Sequence, residues 1–268
     1  MPDCATVDGM KQIFASLLFA SALCAQLPAP NGAGVSMGHL HFNTRDIEAH
    51  RKLWVDALGG KLVKVGPLDA YKLPDLIVLV RNQDVSGGTE GSAVGHIGLK
   101  VRDLKAVLDK CRSLNIKIAS VNKAGTQAFL LAAEDVRIEL SADPAMTAPV
   151  ANHHIHWYTS APVDTQAWYV KMLGAKPGRR GNFEAADIPG ANLTFSPEPA
   201  PALPTKGRAL DHIGFEIVNL EAFCKKLEAA GVKLVMPFTK RPDLGLSLAF
   251  FVDPWGTLVE LTEGLNRL

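Results

Sequence analysis

Four stretches of this chain alternate apolar residues with polar or small ones, and they recur at nearly constant intervals. They read GHLHFNTRD at 38–46, GHIGLKVRD at 95–103, HHIHWYTSA at 153–161 and DHIGFEIVN at 211–219. Period-two alternation in β-favouring residues predicts a strand in each. After each strand the apolar spacing changes to three and four, most clearly in DIEAHRKLWVDALGG from Asp46 and NLEAFCKKLEAAGV from Asn219. That spacing predicts helices, each closed by a glycine. Further short alternating runs follow. The second residue of every copy is a histidine, namely His39, His96, His154 and His212, at intervals of 57, 58 and 58 residues. A period of this size marks one supersecondary unit used four times: strand, helix, then more short strands.

A second mark falls at every other copy. Glu139 sits in RIEL at the end of the second quarter, and Glu260 in LVEL at the end of the fourth, directly after the turn Asp253-Pro254-Trp255-Gly256. His39, His96 and Glu139 therefore match His154, His212 and Glu260 in type and order, at displacements of 115, 116 and 121 residues. Two imidazoles and a carboxylate with open coordination positions suit Fe(II) or Mn(II), with Zn(II) and Ni(II) also accommodated by such donors. A lone histidine on a strand is more often a packed residue, but six residues of the right types at repeated intervals are not explained that way. His41 and His156 follow ligand candidates by two residues and so share their face. They are candidates for catalytic or substrate-contacting groups. Glu216 shares a face with His212 and is a candidate base, and Lys100 shares one with His96. His153 is expected to point away, and His50 to lie on the surface.

These phrases, with the helix ending in Leu-Gly and the terminal D-P-x-G-x-x-x-E-L, resemble the vicinal oxygen chelate superfamily. It includes glyoxalase I, extradiol dioxygenases and the bleomycin-resistance proteins. The resemblance spans about residues 37 to 266. It implies an α+β fold of two tandem domains, 37–147 and 151–266, built from paired βαβββ modules that form cupped sheets with helices outside. It also implies that the ligands come from His39, His96, Glu139, His154, His212 and Glu260. The implied activity is that of a divalent-metal-dependent enzyme, a dioxygenase or a lyase, isomerase or transferase, acting on a small oxygen-chelating substrate. The alternative is a metal-free sequestering protein of the bleomycin-resistance type.

The reaction is narrowed by what is missing. Glyoxalase-type sites add a fourth ligand from the end of the first module, where this chain offers the apolar run 76–80 and, in its other half, only Asn192 or Thr194. Extradiol-type sites carry a tyrosine about ten residues before the glutamate, where Phe250 stands, and a histidine that 196–210 does not contain. The pairing of modules stays open. Each half can close its own cup, or the modules can exchange partners, joining His39 to His212 and Glu260. The short link between 141 and 151 favours closure within each half, because consecutive elements usually pack as neighbours.

Composition changes the picture little. The formal net charge of +1 gives no electrostatic reason to expect nucleic acid. Residues 1–36 differ from the rest: Met10-Lys11, an apolar run over 13–23 and Cys24-Ala25-Gln26 have the order of a secretory signal, followed by a Pro-containing linker. The apolar run is too short to span a bilayer. The expectation is a periplasmic or secreted protein with no membrane attachment after cleavage. Cys111 and Cys224 fall on equivalent helices and are expected to pack as small apolar residues.

Overall fold

The computed structural model describes residues 27–198 and 202–268. The leader expected over 10–25 lies outside them. All four repeats are βαβββ modules. The first holds β1 (Val35–Thr44), α1 (Ile47–Arg51), β2 (Lys61–Val65), β3 (Leu68–Lys72) and β4 (Ile77–Asn82). The second holds β5 (Val94–Val101), α2 (Leu104–Ser113), β6 (Lys117–Val121), β7 (Gln127–Ala132) and β8 (Val136–Ala142). The third comprises β9 (Val150–Thr159), α3 (Pro162–Leu173), β10 (Lys176–Arg180), β11 (Phe183–Ile188) and β12 (Ala191–Pro197). The fourth comprises β13 (Leu210–Ile217), α4 (Leu220–Ala229), β14 (Leu234–Arg241), β15 (Leu246–Val252) and β16 (Leu258–Glu263).

Local chemistry accounts for the helix starts. Asp46, Asp103 and Asn219 each accept a hydrogen bond from the backbone N–H three residues on, and α3 opens with proline at its first turn. One expected α-helix is altered: after Arg51 the chain widens into a π-helix over Lys52–Ala57, and the Leu58 N–H reaches back to the Leu53 carbonyl. Alternation along the first strands splits the side chains as expected. Leu40 and Phe42 join a core shared with the helices, while His39 and His41 face the opposite way, into a cup. Cys111 and Cys224 are free and buried in that core, and burial pushes both thiols up to about 11.

The modules exchange partners, which corrects the pairing expected from the sequence. One eight-stranded sheet runs β14-β15-β16-β13-β1-β4-β3-β2 and joins the fourth module to the first. The other runs β10-β11-β12-β9-β5-β8-β7-β6 and joins the third to the second. The short link does connect neighbours, but those neighbours are the second and third modules, because 143–149 leads from β8 into β9. The link 83–93 and the described part of the other long link, 202–209, run between the sheets. They also pair with each other: Ser86 N donates to Gly207 O, Ala209 N to Gly87 O and Ala93 N to Leu203 O, at 2.8–2.9 Å. The Arg208 guanidinium donates to the Gly88 and Glu90 carbonyls, each at 2.9 Å. The sheets are also joined where Tyr169 of α3 donates to Asp253 at 2.7 Å and Trp157 of β9 to Thr257 at 2.9 Å.

Candidate metal centre

The exchange sorts the six predicted ligands into two clusters, one on the floor of each cup. In the first, β1 brings His39, β13 brings His212 and β16 brings Glu260. Glu260 Oε2 lies 3.0 Å from His39 Nε2 and 2.7 Å from His212 Nε2, and all three residues are buried. Register explains the closeness. Gly214 stands opposite His39 across the antiparallel β1–β13 pair and beside Glu260 across the parallel β13–β16 pair. A Cβ at Gly214 would sit 2.0 Å from His39 Cε1, so only glycine lets the imidazole lie over this backbone. The second cup repeats the device: Gly98 stands between His154 and Glu139, and a Cβ there would meet His154 Cε1 at 1.9 Å. Glycine two residues after the histidine in the second and fourth copies was the available sequence signal for this packing.

Polar support around the first cluster marks it as a candidate metal site. His212 Nδ1 lies 2.6 Å from Asp211 Oδ1. Asp211 is itself held by Asn43 Nδ2 at 3.0 Å and Gly207 N at 2.6 Å, so the crossing link 202–209 positions the carboxylate that orients a ligand histidine. Only the fourth copy has a carboxylic residue before its histidine, a signal that pattern reading passed over. Burial alone would lower the His212 pKa, but its contacts with Asp211 and Glu260 raise it. Burial would raise Glu260, yet His39 and His212 hold it well below the usual carboxylate range. The floor of this cup thus favours positive charge. His41 lies beside it, 4.4 Å from His212 ring to ring, and neither of its nitrogens has a partner. Burial, aided by His212 and Arg81, lowers its pKa well below the ordinary range, leaving a neutral imidazole.

A cavity of about 650 Å³ opens above this cluster. Its walls are largely apolar, including Leu79, Met236, Leu248 and Phe250, and Arg81 and Lys206 also line it. Neither cation makes an ion pair among the described residues. Phe250 is registered against Glu260 and sets its ring edge-on to His212 at 5.2 Å, so the wall carries no tyrosine hydroxyl there.

The second cup has the same donors in a different electrostatic state. Glu139 Oε2 lies 3.4 Å from His96 Nε2 and 3.6 Å from His154 Nε2. Its Oε1 accepts from Ser141 at 3.0 Å and from the Arg180 guanidinium at 3.3 Å. His154 Nδ1 meets His153 rather than a carboxylate, at 3.2 Å. His156 Nε2 lies 2.5 Å from Ser196 Oγ, and its ring stacks on Tyr158. Burial, with Arg180 and neighbouring histidines adding to it, lowers the pKa of both His154 and His156, the latter to about 3. Arg180 was not anticipated, since nothing in its local pattern marks it.

The remaining candidates are placed as follows. Glu216 accepts from Thr262 Oγ1 at 2.8 Å, Gly264 N at 2.7 Å and Asn266 N at 3.4 Å. It anchors the C-terminal turn and is not in the ligand cluster. Lys100 pairs with Asp143 at 2.9 Å. His50 is buried, correcting the expected surface position, because its ring packs on Phe42 and its Nδ1 accepts from Trp54 Nε1 at 3.2 Å. The strand positions equivalent to the two glutamates hold Leu79 and Thr194, so neither cup gains a second carboxylate from them.

Comparison with known proteins agrees with this architecture. The structure is similar to glyoxalase I from Zea mays, with a TM-score of 0.70 at 17% identity, covering 87% of this chain and 94% of that one. It is also similar to a candidate dioxygenase from Bacillus subtilis, with a TM-score of 0.61 at 13% identity, covering 89% and 86%. At these identities the likeness shows the fold. No curated protein sequence matches the chain. A family model matches twice, over 36–169 and 151–261. With two cups, four βαβββ modules and candidate His/Glu metal groups in place, the chain belongs to the Glyoxalase/Bleomycin resistance protein/Dioxygenase superfamily.

Proposed function

We propose that the protein is a divalent-metal-dependent enzyme whose active site is the cup of the first and fourth modules. The observation that carries this reading is the convergence of His39, His212 and Glu260 beneath the 650 Å³ cavity, with Asp211 orienting His212. Fe(II) or Mn(II) fits the mixed nitrogen and oxygen donors best, with Zn(II) or Ni(II) as further occupants. When bound, the ion supplies a Lewis acid for a carbonyl, enolate or catecholate oxygen, and as Fe(II) also a site for dioxygen chemistry. The chain's own groups do the rest. His39, His212 and Glu260 hold the ion, the apolar wall excludes water, and Arg81 and Lys206 attract an anionic group of a small substrate.

The second cup supports a different reading. Arg180 pairs with Glu139 at 3.3 Å, which supports metal-free binding of a small molecule in that cup, with His96, His154 and His156 as the donors any ion there would use. Elemental analysis of protein purified without chelator tests the assignment, with about one ion per chain expected. Metal-free protein that shows no thermal shift with Fe(II), Mn(II) or Zn(II) would remove it. An oxygen-uptake screen on catechols, run beside a glyoxalase-type isomerisation assay, separates the reaction classes. The leader-like order of 10–25 supports export to the periplasm or medium, which N-terminal sequencing of protein from its native host tests. Among the described residues no helix is long and apolar enough to cross a membrane.

A further inference from the structure

In each module the residue two after the ligand histidine is registered against one position on that module's last strand. The pairs are Gly98 with Glu139 and Gly214 with Glu260 where the last strand supplies a carboxylate. They are His41 with Leu79 and His156 with Thr194 where it does not. Glycine thus accompanies the carboxylate, and histidine accompanies its absence. From this exchange between neighbouring strands we propose that His41 is a fourth protein ligand of the first cup, making a site of three histidines and one glutamate. The proposal rests on the metal reading above and names a donor beyond its triad.

Three observations converge on His41. One of its ring nitrogens lies within 4.8 Å of the donor atoms of His39, His212 and Glu260, which themselves lie within 4.8 Å of one another. The residue is 1% exposed, and both nitrogens lack a hydrogen-bond partner. A buried imidazole left unsatisfied on both sides is costly, and ligation by one nitrogen relieves part of that cost. The equivalent His156 also lies within 4.8 Å of the donor atoms of His96 and His154, but Ser196 already stands 2.5 Å from its Nε2 and Tyr158 stacks on its ring, whereas His41 has no such partner. Four protein ligands would still leave a six-coordinate ion two open positions, enough for a substrate that binds through two oxygens.

The test is competitive Co(II) titration of apo-protein against a chromophoric chelator, with His96→Ala in every variant to silence the second cup, whose clustered donors are His96, His154 and His156. His41→Gly is expected to weaken Co(II) binding about 100-fold and to change the visible Co(II) spectrum. His41→Phe, which keeps a ring against His212, should weaken it as much. Adding Leu79→Glu to His41→Gly recreates the Gly214–Glu260 arrangement and should recover affinity to within about 10-fold of the parent. Melting of the apo-proteins reports whether each variant keeps its fold. Unchanged affinity and spectrum in both His41→Gly and His41→Phe would overturn the fourth ligand while leaving the triad standing. A parent protein that takes up no Co(II) would overturn both.

Discussion

The two cups are built from the same repeat and carry the same ligand types, yet in one the glutamate meets only histidines and in the other it also meets an arginine. In the first, His212 lies between Asp211 and Glu260, so the floor gathers negative charge around an imidazole. In the second, His153 takes the place of Asp211 and the Arg180 guanidinium rests on Glu139. Near a protein surface two unit charges at about 4 Å interact by about 4 kcal/mol. A dication near an arginine would meet repulsion of that order, while sharing its carboxylate with the guanidinium. On the proposed reading, a matching ligand triad does not by itself define a metal site; the neighbours that set its charge decide, and here they differ by a handful of side chains.

The largest effect expected from this contrast is on metal content. Glu260→Ala and His39→Ala should each remove the bound ion and lower any metal-dependent turnover at least about 100-fold, whereas Glu139→Ala should leave both nearly unchanged. Equal loss from both glutamate variants, read by elemental analysis and rate, would erase the distinction between the cups. Next in size is a gain: Arg180→Ala frees Glu139 and should allow the second cup to take up Zn(II), raising stoichiometry from about one toward two by calorimetric titration. Smaller again is Asp211→Asn, which keeps the shape but removes the charge behind His212. It should weaken metal binding about 10- to 100-fold and leave the second cup untouched.

The effect that is smallest at neutral pH, and grows only in acid, concerns the helices behind the cups. At the position where α3 carries the buried Thr165, α1 carries His50, whose pKa burial pushes down to about 4. Between pH 6.5 and about 4 the unfolded chain binds a proton at this site that the folded chain does not. Stability from His50 is therefore complete above the ordinary value and is lost as pH falls toward 4, at up to about 1.4 kcal/mol per pH unit. His50→Gln keeps an acceptor for the Trp54 indole without titrating. It should flatten the denaturation profile over that window, while Thr165→Ser should not alter its slope.

Much of this was legible in the chain. The four histidines, the two glutamates and a unit of strand, helix and further short strands follow from period and alternation, because each depends on residues a few positions apart; the βαβββ count comes from the family resemblance. The π-turn at Lys52–Ala57 and the burial of His50 were not, since both depend on what α1 packs against. Glu216 looked like a base because it shares a face with His212, but face alone does not specify partners. Its oxygens are taken by the C-terminal turn. Arg180 and Asp211 were missed for a related reason: one reaches Glu139 from a different module, and the other acts only through the hydrogen bond it makes.

By itself the sequence determined the repeat, the donors and even the complementarity of the strands. Modules one and three carry histidine two residues after the ligand histidine, and modules two and four carry glycine. A ring from the first kind needs the missing Cβ of the second. That rule permits module one to pair with two or with four, and the strand faces are equally satisfied by either. Tertiary structure made the choice, through the short 143–149 link that seats module three beside module two, the two longer links zipped together across the sheets, and the Tyr169–Asp253 contact. Register is a local property, read two residues at a time. Which cup a ligand enters depends on chain closure over more than a hundred residues, and it brought His39 to Glu260 rather than to Glu139.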